Sequence, residues 1–139
     1  MELGASAVQM GSIFVPTEEC DASVEFKKVY INSSQRDVRI IQSPVGMPGR
    51  AFYGEFIHNV EEGLEKPLSC PFHCIKTCDY TKSPYCIIKA LDNAAKGNMR
   101  KGYAFAGTNA YLAEKISSVK EVIDKLKADF LLSRAGLQV

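Results

Sequence analysis

The sequence predicts an α/β protein in which one or two short strands accompany about five helices. The mostly apolar residues 6–10 end at Gly11, as a short buried strand would. Most later segments repeat their apolar residues at helical spacing instead. A lone buried strand cannot satisfy its own backbone N–H and C=O groups. The chain is therefore either mostly helical with an incidental strand, or the partner strands of residues 6–10 are missing from it.

The first part of the chain is predicted to form a helix and a further strand. Residues 17–19 are Thr-Glu-Glu, which is typical of a helix N-terminus because acidic side chains stabilise that end of the helix dipole. Apolar side chains at i, i+3 and i+4 predict a helix over residues 22–32. Residues 38–42 are rich in β-prone side chains, and residues 43–50, with two prolines and two glycines, predict an irregular loop.

A second helix is predicted over residues 51–64, and a cysteine-rich loop over residues 66–83 follows it. Pro84 is suited to a first helical turn, so residues 85–96 are predicted to be helical, with Gly97 closing the helix. The apolar stripe of the helix over residues 51–64 consists of Phe52, Phe56, Val60 and Leu64.

The last part of the chain combines small residues with a long amphipathic helix. Residues 104–107 are small or apolar, and a short helix is predicted after them. Ser118 and Glu121 have the spacing of a capping box, which begins the final helix. Its apolar face consists of Val119, Val122, Ile123, Leu126 and Phe130.

Composition excludes several classes of protein. The chain has 139 residues, 46% of them hydrophobic and 24% charged, which fits one globular domain. A net charge of +1 does not indicate a nucleic-acid partner, and no apolar run reaches the roughly 20 residues that span a bilayer. The N-terminus lacks a basic region, so no signal peptide is predicted and a cytoplasmic location is expected. The five cysteines are then thiols or metal ligands rather than disulfides.

The opening segment, LGASAVQMGSIFVPTEECDAS, carries a resemblance to a known family. Residues 4–14 read G-A-S-A-V-Q-M-G-S-I-F and are similar to the G-A-x-x-V-Q-M-G-T-x-F stretch on the last barrel strand of the nitronate monooxygenase family. The resemblance continues through SPVGMPGRAF and the cysteine-rich loop to KGYAFAGTNAYLAEKISSVKEVIDKL. The flavin-dependent enoyl-ACP reductases are close relatives of that family.

The resemblance implies a flavin-binding (β/α)8 barrel with a smaller second domain. Because such a barrel needs roughly 250 residues, the chain resembles only the C-terminal part. Residues 1–42 would be the last barrel strand and the following helix, and residues 43–139 a mostly helical subdomain with the cysteine-rich loop. The implied reaction is FMN-dependent oxidation of alkyl nitronates by oxygen, in a chain that is inactive alone. The implied partner is the missing barrel half or a second copy.

The resemblance assigns the contacts with FMN to Gln9, Met10, Gly11 and Ser12. The amides of Gly11 and Ser12 and the Ser12 hydroxyl can donate hydrogen bonds to phosphate oxygens, and Gly11 allows the backbone to approach closely. Gln9 can donate to the flavin or to the phosphate. Without the resemblance, the same residues would be a plain strand and turn interrupted by a glycine. A flavin-dependent enoyl-ACP reductase fragment is the alternative within the same class.

No catalytic residue is assigned, because the histidine base of many family members lies in the barrel half. His58 lies in a predicted helix and is interpreted as a surface residue, and His73 is either a ligand or a loop residue. Arg50 either contacts an anion or is a solvated loop residue. Residues 107–109 open a helix, and Thr108 is there either an anion contact or a plain N-cap.

Four cysteines lie within 17 residues, with the spacing C-x3-C-x3-C-x7-C. Four thiolates that converge tetrahedrally could bind zinc or an iron–sulfur cluster. The alternative is a set of reduced thiols that pack as small hydrophobic groups. A non-enzymatic, metal-stabilised helical module is therefore the alternative function of a different class. The metal ligands would be Cys70, Cys74, Cys78 and Cys86, whereas Cys20 is interpreted as structural.

Overall fold

The computed structural model describes residues 4–67, 69–76 and 78–134, and combines helices with a small sheet. No helix within those ranges is both long enough and apolar enough to cross a membrane. In chain order the main elements are α1 (Val24–Asn32), β1 (Val38–Ile41), β2 (Gly49–Phe52), α2 (Glu55–Glu61), α3 (Ile87–Ala95) and α4 (Val119–Arg134). Short 3-10 helices span Ser12–Phe14, Gln35–Asp37, Met99–Lys101 and Ala110–Leu112.

The opening segment is not a strand. Residues 4–11 have irregular backbone and are exposed, and the side chain of Val8 is 60% exposed. The prediction of a buried barrel strand over residues 6–10 is therefore wrong for this structure. A parallel strand needs hydrogen-bonded strands along its edges. The two described strands, β1 and β2, pair with each other and not with residues 6–10.

Residues 17–19 form a turn, so the predicted helix start at this position is also wrong. The Thr17 side chain is buried, and its hydroxyl donates to the Phe14 carbonyl at 2.8 Å. The Glu18 amide donates to the Ser117 carbonyl at 2.9 Å, which joins this turn to the segment before α4. Thr17 is used for packing and turn closure rather than for capping.

Helix α1 confirms the prediction of a helix over residues 22–32, with a start two residues later. Ser23 caps it, because the Ser23 hydroxyl accepts a hydrogen bond from the Phe26 amide at 3.2 Å. Tyr30 is buried and packs edge-on against Phe52 with ring centroids 4.9 Å apart. Helix α1 therefore covers one face of the sheet.

The sheet is antiparallel, with Val38 of β1 opposite Phe52 of β2. The predicted strand over residues 38–42 is confirmed, and the predicted loop over residues 43–50 is shorter because its last two residues belong to β2. The Phe52 amide donates to the Ala104 carbonyl at 3.0 Å, and the Ala106 amide donates to the Arg50 carbonyl at 2.9 Å. Residues 104–106 thus add an extended third segment beside β2.

Helix α2 is shorter at both ends than the predicted helix over residues 51–64. Ala51 and Phe52 are strand residues, because their backbone groups bond within the sheet. Their side chains belong to different clusters of the core, as alternation along a strand requires. The predicted apolar stripe is consequently divided: Phe52 and Phe56 are buried, whereas Leu64 lies beyond the helix and is 72% exposed.

Helix α3 confirms the predicted helix over residues 85–96 apart from its first two residues and its last residue. Gly97 follows it with φ +93°, a left-handed conformation that favours glycine and ends helices. Gly102 packs directly against α3: a Cβ at this position would lie 2.2 Å from the Ala90 carbonyl oxygen and 2.7 Å from the Ala94 nitrogen. The segment that leads to residues 104–106 is therefore held close to the helix backbone.

Two clusters of buried side chains form the described core. Tyr85 and Tyr103 join elements of the first cluster, with the Tyr85 hydroxyl donating to the Tyr103 hydroxyl at 3.2 Å. The first cluster contains Ile41, Ala51, Phe56, Ile57, Tyr85, Ala90 and Tyr103. The second contains Tyr30, Phe52, Ala104, Ala106 and Ala110.

Helix α4 lies outside both clusters, and its residues are half-buried or exposed. The predicted capping box is confirmed, because Glu121 accepts from the Ser118 amide at 2.9 Å and Ser118 Oγ accepts from the Glu121 amide at 3.1 Å. The Glu19 carboxylate also accepts from the Val119 amide, at 3.0 and 2.9 Å. Helix α4 is therefore attached to the rest of the chain at its first turn.

Candidate functional site

Ser12 and Gly107 form the centre of the candidate site. The Gly107 amide donates to the Ser12 hydroxyl oxygen at 2.8 Å, across 95 residues of sequence. This contact joins the predicted phosphate segment, residues 9–12, to the second predicted anion site, residues 107–109. Thr108 and Asn109 follow Gly107 on the surface. We call residues 9–12 and 107–109 the donor cluster.

Buried contacts behind the donor cluster fix the position of Gly107. The Tyr30 hydroxyl donates to the Phe105 carbonyl at 2.6 Å, and the Ala106 amide is bonded to Arg50 in β2. Burial raises the pKa of Tyr30 to about 12, which extends the pH range over which its hydroxyl is protonated and able to donate. The segment before Gly107 is therefore bonded to α1 through Phe105 and to β2 through Ala106.

Ser12 is positioned by the turn that contains Thr17. The Phe14 amide donates to the Gly11 carbonyl at 3.0 Å, and the Phe14 carbonyl in turn accepts from the Thr17 hydroxyl. Because residues 17 and 18 are joined to Ser117, this turn is anchored to the segment before α4. The chain is thus irregular and exposed before Gly11, and fixed after it.

The hydrogen-bond donors at Gly11 and Ser12 fit a phosphate group. Within the described ranges, the Gly11 and Ser12 amides donate to no acceptor. Since the Ser12 oxygen already accepts from Gly107, its hydroxyl hydrogen can be donated to a ligand. Residues 4–12 contain no carboxylate that would repel an anion. A Cβ at Gly11 would have no atom within 4 Å, so the space beside it is open.

The residues that were predicted to contact FMN lie at or near the surface. Gln9, Met10 and Gly11 are exposed and Ser12 is half-buried, so these residues offer donors but no enclosing walls. Asn109, not Thr108, is the N-cap of the 3-10 helix Ala110–Leu112, and its side chain makes no capping bond. The interpretation of Thr108 as a plain N-cap is therefore wrong.

The histidines and Arg50 lie away from the donor cluster or face solvent. His58 is exposed on α2, where its Nδ1 lies 3.4 Å from the Tyr53 hydroxyl, as the surface interpretation predicts. His73 is exposed in the cysteine-rich loop with φ 42°, and its ring lies edge-on to Tyr80. The Arg50 side chain is exposed, and its backbone carbonyl accepts from the Ala106 amide.

The structure does not bring the four loop cysteines together as a metal site. Within residues 4–67, 69–76 and 78–134, no three His, Cys, Asp or Glu side chains form a group that could hold a metal ion. Cys74 is exposed, and the Cys78 thiol lies 3.6 Å from the Ser83 hydroxyl. Zinc or iron–sulfur ligation by Cys70, Cys74, Cys78 and Cys86 has no support from this arrangement.

Sequence reasoning missed the residues that hold the donor cluster together. The contact between Ser12 and Gly107 has no local signal, because it joins residues 95 positions apart. Tyr30 occupies one of the apolar positions of the predicted helix over residues 22–32, and its sequence position does not indicate that its hydroxyl fixes Phe105. The alternation of small residues in 104–107 was the available signal, since such a segment can lie extended beside a strand, here β2.

The fold of the chain occurs in known structures. It matches FabK from Thermotoga maritima with a TM-score of 0.74 and 24% identity, over 97% of this chain and 40% of that chain. A single-residue variant of the same protein matches with a TM-score of 0.72, over 97% of this chain and 37% of that chain. The likeness is one of fold, to a part of a larger protein.

Sequence comparison identifies the family. Residues 1–129 match the family described as nitronate monooxygenase, and the chain belongs to that family. A curated relative, the probable nitronate monooxygenase of Staphylococcus saprophyticus, is 28% identical over 118 residues. The match covers 85% of this chain and 31% of the relative, so the chain spans about a third of that relative's length. The predicted family resemblance is confirmed.

Proposed function

We propose that this chain is the C-terminal part of an FMN-dependent nitronate monooxygenase that oxidises alkyl nitronates with oxygen. The observation that carries the proposal is the hydrogen bond from Gly107 to Ser12, which leaves the Ser12 hydroxyl hydrogen and two neighbouring amides directed to no described acceptor. Family membership over residues 1–129 supports FMN as the group that these donors meet.

In this proposal the chain binds the phosphate end of FMN. Gly11 and Ser12 donate backbone hydrogen bonds, the Ser12 hydroxyl donates a third, and Gln9 and Met10 lie at the edge of the site. Bound FMN supplies the redox chemistry of the reaction. The chain's own residues orient the cofactor, and no described side chain is assigned as the base that acts on the nitronate.

The proposed site needs further polypeptide. Residues 9–12 are exposed or half-buried and provide no walls for a flavin ring. The chain covers 31–40% of its first-named relatives. We therefore expect it to be inactive alone and to act together with a barrel part, or within a homo-oligomer. The barrel-associated part would be residues 1–42, and the helical part would be residues 43–139. The boundary falls between β1 and β2, so each part contributes one strand to the sheet.

The phosphate contacts can be tested on the chain alone by NMR. Titration with FMN should shift the Gly11 and Ser12 amide resonances weakly, whereas riboflavin, which lacks the phosphate, should not. Ser12→Ala should remove the shift, and Ser6→Ala in the same segment is the matched control that should retain it. Equal shifts with riboflavin, or shifts confined to residues away from the donor cluster, would refute the phosphate assignment.

The activity can be tested in a chimera. This chain would replace the aligned segment of the Staphylococcus saprophyticus relative, and the purified protein would be analysed for bound FMN and for oxygen consumption with an alkyl nitronate. A chimera that binds FMN and is active supports the proposal, and Gly11→Leu in it should lose FMN. A chimera that binds FMN but reduces an enoyl-ACP substrate would instead support the alternative function, that of a flavin-dependent enoyl-ACP reductase.

A further inference from the structure

A cavity of about 440 Å³ lies between α3, the start of α2 and the cysteine-rich loop, away from the donor cluster. Its volume lies within the range of small-molecule sites, roughly 300–1,000 Å³. The residues around it come from α2, from the cysteine-rich loop and Glu65 before it, from α3 with Tyr85 and Cys86 before it, and from the 3-10 helix Met99–Lys101. The cavity is independent of the proposed function, because none of residues 9–12 or 107–109 lines it.

The inner wall of this cavity is apolar. Phe56, Tyr85 and Ala90 line it, and all three are buried members of the first core cluster. Phe56 and Tyr85 meet edge-on with ring centroids 5.3 Å apart. On the outer side, Phe72 of the cysteine-rich loop is 49% exposed. An apolar ligand would therefore remove an exposed aromatic side chain from water.

The rim of the cavity is basic. Lys66, Lys89 and Lys101 line it together with one acidic residue, Glu65, so the three lysines leave two net positive charges. All three lysines are exposed. In the part of the chain that the structure describes, none of them pairs with a carboxylate within 4.0 Å. These ammonium groups can accordingly meet an anionic ligand without breaking an existing ion pair.

We propose that this cavity binds a small carboxylate with an apolar, aromatic-sized body. The body lies against Phe56, Tyr85 and Phe72, and the carboxylate meets Lys89 and Lys101 at the rim. The combination of an apolar wall and a basic rim selects against neutral apolar molecules, which lack the charge, and against compact inorganic anions, which lack the body.

Cys86 provides a site-specific measurement of occupancy, because it lines the cavity and is half-buried. Trypsin releases it in the peptide SPYCIIK, in which it is the single cysteine. The probe is hydrocinnamate, and hydrocinnamyl alcohol is its neutral control. With hydrocinnamate at about four times its Kd, alkylation of Cys86 by N-ethylmaleimide should slow by about fivefold. Cys20, which does not line the cavity, is the internal control and should be unaffected.

A matched pair of variants tests the charge requirement. Lys89→Gln with Lys101→Gln removes two rim charges and should weaken hydrocinnamate binding by about tenfold or more. Lys96→Gln with Lys125→Gln removes the same number of charges from lysines that pair with Asp92 and Asp129, outside the cavity. This second pair should bind hydrocinnamate as the unaltered chain does.

Three results would overturn the proposal. One is that Cys86 alkylation is unchanged at millimolar hydrocinnamate. Another is equal protection by hydrocinnamyl alcohol, which would make the cavity a general apolar site. The third is equal loss of binding in the two lysine pairs, which would make the effect one of net charge. Circular dichroism of both pairs keeps loss of folding distinct from loss of binding.

Discussion

Replacement of Gly102 by alanine tests the packing that places residues 104–107. Gly102 has φ −161° and ψ 174°, an extended conformation that alanine adopts without strain. Its constraint is spatial: the new Cβ would lie 2.2 Å from the Ala90 carbonyl oxygen, 2.7 Å from the Ala94 nitrogen and 2.9 Å from the Ala94 Cβ. Two of these three atoms belong to the α3 backbone, which cannot rotate away as a side chain could.

The expected loss of stability follows from the size of this overlap. Ordinary contacts of a Cβ with other heavy atoms lie beyond 3.4 Å, so the segment and α3 must separate by about 1 Å. Tyr103 and Ala104, which are buried on either side of the sheet, would move with Gly102. We expect Gly102→Ala to lower the free energy of unfolding by about 3 kcal/mol, the upper part of the range for overpacked sites. The unfolding temperature should fall by roughly 10 °C.

Gly54→Ala is the matched control. Gly54 is also extended, with φ −148° and ψ −174°, but its Cβ would have no atom within 4 Å. Reduced freedom of the unfolded chain and the poorer N-cap of α2 nearly cancel there, so the change should stay within about 1 kcal/mol. Urea denaturation followed by circular dichroism measures both variants. Equal stability of Gly102→Ala and the unaltered chain would refute the close packing of Gly102 against α3.

Three further predictions concern hydrogen bonds and metal. Tyr30→Phe leaves the Phe105 carbonyl without its 2.6 Å donor and should lower the free energy of unfolding by about 1–2 kcal/mol. Because burial raises the pKa of Tyr30 from 10 to about 12, its contribution to stability should be complete below pH 10 and lost as pH rises through 12. Unfolding curves of Tyr30→Phe measured over this pH range should lack that loss. Glu19→Ala removes the acceptor of the Val119 amide and should speed hydrogen exchange in the first turn of α4 by about fivefold, as loss of about 1 kcal/mol would; unchanged exchange would contradict the capping role. EDTA should leave the unfolding midpoint unchanged and elemental analysis should find no stoichiometric metal, since no metal-binding group forms within the described ranges. A midpoint lowered by EDTA would instead support metal binding by the four loop cysteines.

Local signals predicted the elements whose boundaries depend on neighbouring residues. Gly97 ends α3, and Ser118 with Glu121 begins α4, and each was visible as a residue type at a known offset. The strand over residues 38–42 was likewise indicated by its β-prone side chains. These predictions succeeded because capping and turn formation are decided within a few residues. The Ser23 cap of α1 was not predicted, because the helix start was assigned to residues 17–19.

Tertiary pairing decided the elements that were predicted incorrectly. Residues 51 and 52 have helical spacing with Phe56, yet their backbone groups bond to β1 and to residues 104–106. The sequence pattern cannot register this competition, because β1 lies 12–14 residues before them and residues 104–106 lie about 50 residues after them in the chain. The same applies to residues 6–10, whose mostly apolar composition favours a strand but which pair with neither β1 nor β2.

The position of Ser12 does not depend on whether residues 6–10 form a strand. Ser12 is bonded to Gly107, the Thr17 turn is joined to Ser117, and Glu19 is bonded to Val119, so three contacts of about 100 residues' separation fix the chain from Ser12 onward. Before Gly11 the described chain is exposed and irregular. Residues 6–10 could therefore pair with strands of a barrel part while Ser12 stays in place. The proposed phosphate contacts are for this reason a property of the C-terminal part, and loss of the contact between Ser12 and Gly107 should weaken FMN binding whether or not the barrel is present.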